Sequence, residues 1–154
     1  MGRKRQREIK FMLFSEVDIV NGTVVPKNEK GGTSKLTFQG LPITIENDEG
    51  SVRRWKNNEG QTGKTTMFYR YGYIHGTVGV DGDCIDCFVG HNPYASSVYI
   101  IRLGKDDREE KIMLGFDNKE SARDAFLAHY QSQEYLGEIT EMQMYLFKET
   151  LEFR

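Results

Sequence analysis

Hydrophobic and polar residues alternate along most of the chain in short runs that turn residues interrupt. This two-residue period is typical of half-buried β-strands, and it is clearest at residues 36–38 and 43–45. The dipeptide Asn21-Gly22 predicts a hairpin between residues 9–20 and the valine-rich run that follows. Further strands are predicted at residues 66–73, 86–89, 98–103 and 111–116. Polar loops are predicted at 28–33 and 57–64, and a charged turn at 104–110.

The hydrophobic period lengthens in the last third of the chain. Residues 117–120 offer a cap and a reciprocal glutamate for a helix that runs to about residue 131. Its apolar face carries Ala122, Ala125, Phe126 and His129. Residues 140–143 form a second capping box, which begins a helix that runs through Met144, Phe147 and Leu151. We therefore predict an α+β fold that is mainly β: a small, closed or nearly closed antiparallel (OB-like) barrel with two C-terminal helices packed on it.

Composition limits the classes of protein that this pattern can build. The 154 residues, of which 38% are hydrophobic and 29% charged, suit one compact globular domain. A net charge of −2 argues against nucleic-acid and anionic-membrane partners. The apolar runs are short and broken by charges, and the start of the chain lacks the apolar core of a signal peptide. We therefore expect a cytoplasmic protein with reduced thiols.

The first 35 residues differ from the rest of the chain. They start with four basic side chains, Arg3, Lys4, Arg5 and Arg7. Such a cluster fits either a nucleic-acid-binding arm or a solvated, frayed terminus. We expect residues 1–35 to form an N-terminal extension with some strands, and residues 36–154 to form the main domain.

The residues that most strongly suggest a chemical function form one acidic cluster. Asp81, Asp83 and Asp86 lie within six residues, and Gly82 between the first two permits a tight turn or the close approach of a ligand. In an extended chain, the first two aspartates share a face at about 7 Å between Cα atoms. Like charges at this spacing repel, so the cluster is either a solvated polar turn or the surroundings of a cation. Hard cations such as Mg²⁺ prefer carboxylate oxygens and water, and usually bring a phosphate as co-ligand.

Basic and phenolic side chains on neighbouring predicted strands favour the cation. A multiply charged anion needs such donors, and arginine matches phosphate geometry best. They are Arg53, Arg54, Lys64, Tyr69, Tyr71, Lys111 and Tyr130. A second acidic group, on the predicted charged turn, can complete a metal shell: Asp106, Asp107, Glu109 and Glu110. Two metal ions about 4 Å apart that share a carboxylate would generate hydroxide and clamp a phosphoryl group.

Residues 67–87 resemble the core of the soluble, family I inorganic pyrophosphatases. The resemblance rests on the three aspartates in D-x-D-x-x-D spacing and on the preceding segment Tyr71-Gly72-Tyr73-Ile74, and it departs at Cys84, where the family has proline or glutamate. Other segments are similar to a phage and mobile-element branch of pyrophosphatase-like domains: 40–47, 50–54, 111–116 and 139–142. The resemblance covers residues 36–151, which makes 36–154 the pyrophosphatase-like domain. It also implies a virus-encoded protein that acts in the host cytoplasm.

The resemblance implies a role for each acidic and basic position. Asp81 and Asp86 would hold the activating metal pair, with Asp86 bridging, and Asp83 would accept the proton of the attacking water. The further metal ligands would be Glu46, Asp106 and Glu109. The substrate-binding residues would be Arg53, Lys64, Tyr71, Lys111 and Tyr130. The implied reaction is hydrolysis of pyrophosphate to two phosphates with several Mg²⁺ ions, which Mn²⁺ or Co²⁺ can replace.

Other interpretations remain open. Cys84 and Cys87 form a C-x-x-C with His91 beyond it, a pattern of zinc sites and redox dithiols as well as of two small apolar fillers. The domain could instead hydrolyse another phosphoanhydride or a nucleotide, or serve a phage or mobile element as a non-catalytic binding module. Cys84 fits such drift, as does Gln131, which stands where many cellular enzymes have lysine. Cellular relatives form oligomers, which leaves a homo-oligomer open.

Overall fold

The computed structural model describes residues 17–20, 23–26, 34–56, 59–104, 106–130 and 132–154, with only the backbone described at 17–20, 23–26 and 106–108. The strands are β1 (Val17–Val20), β2 (Thr23–Pro26), β3 (Ser34–Phe38), β4 (Leu41–Asn47), β5 (Val52–Lys56), β6 (Thr62–Thr66), β7 (Arg70–Ile74), β8 (Ile85–Val89), β9 (Ser97–Leu103), β10 (Asp106–Leu114) and β11 (Leu136–Gln143). The helices are α1 (Lys119–Leu127) and α2 (Met144–Thr150), and Gln133–Tyr135 forms one turn of 3-10 helix.

Seven of these strands form one sheet in the order β11-β9-β10-β8-β7-β4-β3, beside two separate hairpins, β1–β2 and β5–β6. The prediction of a mainly β, α+β fold with two helices is confirmed. The sheet is open, because its edge strands β3 and β11 are not paired with each other, so the OB-like barrel is nearly closed at most. The expectation of purely antiparallel pairing needs one correction. Strands β8 and β10 run parallel, since β9 reverses the chain between them and pairs on the far side of β10.

The large sheet separates two hydrophobic clusters, which we name by their side chains. The aromatic face packs Tyr71, Phe88 and Met113 together with Phe126 of α1. The aliphatic face packs Ile74, Cys87, Ile112 and Leu114 together with Phe147 of α2. Because successive strand residues point to opposite sides of a sheet, neighbours along one strand belong to different faces.

The hairpin β5–β6 adds its own buried residues to the aromatic face. Trp55 belongs to that cluster, and its indole Nε1 donates a hydrogen bond to Thr65 Oγ1 at 3.2 Å. Gly63 lies opposite Trp55, and a Cβ atom there would come within 2.4 Å of the indole ring. Only glycine therefore fits beneath the ring without a shift. The packed indole fixes the hairpin, and with it the neighbouring Arg53, against the sheet.

Two predicted loops are shorter than expected. Most of the predicted turn at 104–110 belongs to β10, which pairs with β9 through Asp106 and, after an irregularity in register, through Glu110. The predicted loop at 57–64 includes the start of β6, because its glycine and polar residues pair with β5. The strand predicted at 66–73 is divided, with β6 ending at Thr66 and β7 beginning at Arg70.

Both predicted helix starts need correction. Helix α1 begins after Asn118, whose side chain accepts from the Ser121 backbone N–H at 2.8 Å, so the capping box is Asn118 with Ser121 rather than Asp117 with Glu120. The helix ends at Leu127, short of the predicted residue 131. The capping box at 140–143 is wrong, since these residues complete β11 and pair with β9. Helix α2 starts directly after them, at Met144, without a side-chain cap.

The N-terminal predictions are tested only in part. Strands β1 and β2 pair antiparallel around the predicted turn, with Val20 opposite Thr23, which confirms the hairpin. The turn residues themselves, the basic cluster and residues 9–16 lie outside the described residues. The division at residue 35 stays a prediction. In the part of the chain that the structure describes, no helix has the length and apolarity needed to span a membrane.

Candidate functional site

A buried lysine lies at the centre of a polar cluster on the aromatic face. The Lys111 ammonium donates to Asp86 Oδ2 at 2.8 Å, to Glu109 Oε2 at 3.0 Å and to the Tyr71 hydroxyl at 2.8 Å. Lys111 and Asp86 are each 2% exposed, and Glu109 is 3% exposed. The parallel register sets Lys111 beside Asp86, and Glu109 shares its face two residues earlier on β10. Burial of one ammonium against two carboxylates is tolerated because each charge has a partner within hydrogen-bond distance.

Arg53 brings a second buried cation to the same ring. Its guanidinium carbon lies 4.8 Å from the centroid of the Tyr71 ring, and the Lys111 nitrogen lies 5.3 Å from that centroid. The Arg53 distance allows attraction between the guanidinium and the negative face of the ring, whereas the Lys111 ammonium meets the hydroxyl at the edge of the ring. The Arg53 Nη1 also donates a hydrogen bond to the side-chain oxygen of Asn47. Two cations around one tyrosine make this part of the site suited to a multiply charged anion.

Tyr130 borders the cluster from beyond α1, and Glu46 is a further buried site candidate on β4. The Tyr130 ring stacks on Phe126 with 4.2 Å between centroids. Burial raises the pKa of Tyr130 well above its ordinary value, an effect that Lys111 opposes and that nearby negative groups reinforce. The phenol therefore keeps its proton at neutral pH and can donate a hydrogen bond. Glu46 is buried on β4, at an irregularity in the pairing of β4 with β7 between Ile45 and Asn47.

The first two aspartates of the acidic cluster lie in the β7–β8 connection, which we call the aspartate loop (residues 75–84). Asp81 is partly exposed, and its Oδ1 accepts a hydrogen bond from the Asp83 backbone N–H at 3.0 Å. Asp83 itself is buried, and its carbonyl accepts from the Gly79 N–H at 2.7 Å. Gly82 has a φ of +88°, so the glycine permits the left-handed turn that separates the two carboxylates.

The aspartate loop borders a cavity of about 300 Å³. Five acidic residues are among those that line it: Asp81, Asp86, Glu109, Glu110 and Glu152. Apolar residues of the aliphatic face, Ile112 and Phe147 among them, also line the cavity. Carboxylates from the loop, from two strands and from the end of the chain thus meet around one space.

The structure brings most of the predicted site residues together. Arg53, Tyr71, Asp86, Glu109, Lys111 and Tyr130 share the buried cluster, and Asp81 joins Asp86 and Glu109 at the cavity. Lys64 is exposed and lies opposite Arg54 on β5–β6, on the other side of that hairpin from Arg53. Asp106 begins β10, and its side chain, like that of Asp107, lies outside the described residues.

The polar side chains that line the cavity are of the type that binds a hard cation. Most of them are carboxylates, and carboxylate oxygens are the ligands that Mg²⁺ prefers. Within the described ranges, however, no three His, Cys, Asp or Glu side chains stand close enough to hold a metal ion. Instead, the ammonium of Lys111 pairs with both Asp86 and Glu109 and offsets part of their charge. Cys87 packs in the aliphatic cluster, as expected for an apolar filler, and Cys84 lies on the cavity wall.

Two contributors escaped the sequence reasoning. Asn47, which accepts from Arg53, ends an apolar strand, where an asparagine usually signals only a turn. Glu152 reaches the cavity from beyond α2, and one acid near the end of a chain carries no signal of its own.

A family model described as Inorganic Pyrophosphatase matches residues 26–152 of the chain. The matched range includes the aspartate loop and every residue of the buried polar cluster around Lys111. No curated protein and no solved structure matches the chain significantly.

Proposed function

Because this chain belongs to the inorganic pyrophosphatase family, we propose that it hydrolyses inorganic pyrophosphate to two phosphates with the help of Mg²⁺. The observation that carries the proposal is the buried cluster in which Lys111 joins Asp86, Glu109 and Tyr71. Arg53 lies on the same tyrosine ring. Phosphoanhydride hydrolysis needs neutralised charge on the substrate and a locally made nucleophile, and this cluster has groups for both.

The positively charged and phenolic side chains of the cluster would bind the substrate. Arg53 and Lys111 would bind the phosphate groups, and the protonated Tyr130 would donate a hydrogen bond to one of them. Tyr71 would line the pocket and hold the two cations at a fixed separation. The role of Lys64 stays a prediction, because the residue is exposed on the far side of its hairpin.

The acidic side would hold the metal ions. Asp81, Asp86 and Glu109 would bind Mg²⁺, with Glu46 and Asp106 as further predicted ligands. Bound Mg²⁺ would lower the pKa of its water and offset charge on the leaving phosphate. Asp83 would accept the proton of that water, and the hydrogen bonds of the aspartate loop keep its backbone in place.

A pyrophosphatase-like binding module is the second candidate. The ion pairs of Lys111 with both Asp86 and Glu109 favour it, since the ammonium already occupies an oxygen atom of each of these two proposed metal ligands. Another phosphoanhydride or a nucleotide is the alternative substrate. Action in a host cytoplasm, a viral source and assembly into a homo-oligomer stay predictions.

A phosphate-release assay tests the proposal. Purified protein with pyrophosphate and Mg²⁺ should release phosphate, and EDTA should stop the release. Nucleoside triphosphates in parallel reactions test the alternative substrates. Absence of release with Mg²⁺, Mn²⁺ and Co²⁺ would overturn the enzymatic proposal and leave the binding module.

The role of Asp83 has its own test in the same assay. Asp83→Asn should lower the rate at least about 100-fold, because a proton acceptor near the attacking water is lost. The variant should keep its thermal stability and its affinity for Mg²⁺. Asp124→Asn is the matched control, since Asp124 is exposed on α1. A near-normal rate for Asp83→Asn would place the base elsewhere.

A further inference from the structure

Residues 152–154, which we call the tail, pair with the first half of the aspartate loop. The Glu152 carbonyl accepts from the Val78 N–H at 2.9 Å, and the Arg154 N–H donates to the Gly76 carbonyl at 2.9 Å. Between these bonds, Phe153 forms an antiparallel bridge with Thr77. The tail therefore lies against the loop as a short extra strand.

The side chain of Arg154 reaches the second half of the same loop. Its Nη2 donates to the Gly82 carbonyl at 2.6 Å. Gly82 is the left-handed residue between Asp81 and Asp83, and its own N–H donates to the Gly79 carbonyl at 2.9 Å. One arginine thus ties the turn that separates the two aspartates to the strand-like tail.

We propose that Arg154 is a positioning residue that closes the aspartate loop and holds Asp81 and Asp83 in place for catalysis. This inference rests on the proposed function, because it assigns the two aspartates to the reaction. Arg154 lies beyond the residues that the family model matches, which end at Glu152. The tail would act through the backbone of the loop and would not touch the substrate.

Cys84 provides a readout of the loop that does not depend on activity. Cys84 is a partly exposed residue two positions after Gly82, whereas Cys87 is buried in the aliphatic face. The rate of reaction of Cys84 with 5,5′-dithiobis(2-nitrobenzoate) therefore depends on how tightly the loop is held, and it should rise when the loop loosens. Absence of the reaction in Cys84→Ser would confirm the assignment of the signal.

Loss of one hydrogen bond should raise the labelling rate of Arg154→Ala about three- to tenfold. Arg154→Lys should label at close to the wild-type rate, because a lysine ammonium can still donate to the Gly82 carbonyl. Arg123→Ala, on the exposed side of α1, is the matched control and should be unchanged. All three variants should keep the wild-type melting temperature to within about 3 °C.

Phosphate release completes the test. Arg154→Ala should lower kcat several-fold and leave KM for pyrophosphate unchanged, whereas Arg154→Lys should recover most of kcat. Equal labelling rates for wild type and Arg154→Ala would overturn the proposal, whatever the activity. Faster labelling of Arg154→Ala in a protein whose wild type releases no phosphate would keep the tail contact and overturn the proposed function instead.

Discussion

The aromatic face and the aliphatic face of the sheet are built from the same strands, yet they hold different chemistry. On β10, Lys111 joins two carboxylates while its neighbour Ile112 packs in the aliphatic cluster. On β8, Asp86 belongs to the charged cluster of the aromatic face, whereas its neighbour Cys87 packs in the aliphatic cluster. The two-residue period of a strand lets adjacent positions serve a charged site and a dry core. We infer that the aliphatic face stabilises the strands and supplies an apolar wall of the cavity, whereas the buried charges come from the aromatic face.

The strongest way to break this division is to remove the central charge. Lys111→Met leaves Asp86 and Glu109 buried together without their cation, so the free energy of unfolding should fall by about 3–5 kcal/mol. Phosphate release should fall at least about 100-fold, because a phosphate-binding charge is lost as well. Urea denaturation and the phosphate assay measure the two effects. Lys119→Met, at an exposed position of α1, should change stability by less than about 0.5 kcal/mol. A Lys111→Met protein as stable as wild type would show that the carboxylates need no cation.

A position on the same strand tests the other face. Leu114→Ala removes buried methyl groups from the aliphatic cluster, away from the residues that line the cavity, and should lower the free energy of unfolding by about 2–5 kcal/mol. At a temperature where the variant is fully folded, its kcat should stay within about twofold of wild type. Urea denaturation and phosphate release at roughly 15–20 °C, close to the usual temperature of maximum stability, measure the two effects separately. A loss of activity as large as that of Lys111→Met would show that the faces are not independent.

The smallest effect concerns a histidine on the aromatic face. His129 is buried against Phe88, and its Nε2 accepts from the Phe68 N–H at 2.9 Å, which requires the neutral ring. Burial lowers the pKa of His129. The unfolded chain takes up the proton below a pH of about 6.5, whereas the folded chain resists it, so stability is present above that pH and is lost as the pH falls below it.

Unfolding measured between pH 7 and pH 5.5 tests this dependence. One proton accounts for a slope of at most about 1.4 kcal/mol per pH unit. His129→Gln should flatten the slope, while His75→Gln, at an exposed position, should keep it. An unchanged slope in His129→Gln would assign the pH dependence to other groups.

The strands were predictable because their signal is local, whereas their partners were not. Alternation marks residues 43–45 and 98–103 as strands without reference to any other part of the chain. The contact of Lys111 with Asp86 depends on the parallel register of β8 and β10, which no local pattern encodes. The resemblance therefore identified candidate residues, and the structure showed that Lys111 binds two of the acids.

Local signals also failed where two patterns overlap. Residues 140–143 match a capping box, yet they directly continue the β-strand from Ile139, and pairing with β9 decides for the strand. At α1, Asp117 and Asn118 are both good caps, and the hydrogen bond of Asn118 with Ser121 sets the start one residue later. Tertiary contacts decide which of two such local structures forms. The local sequence alone therefore does not predict the outcome.

The parallel pairing of β8 and β10 also bears on the order in which parts of the protein fold. Asp86 and Lys111 are 25 residues apart in the chain, and β9 lies between them in sequence but beyond β10 in the sheet. The hairpin of β9 and β10 closes a short loop and costs less chain entropy than the docking of β8. We therefore expect the charged cluster to assemble late on the folding pathway. The charged side chains of the cluster then lose their hydration only when their ion-pair partners are already close.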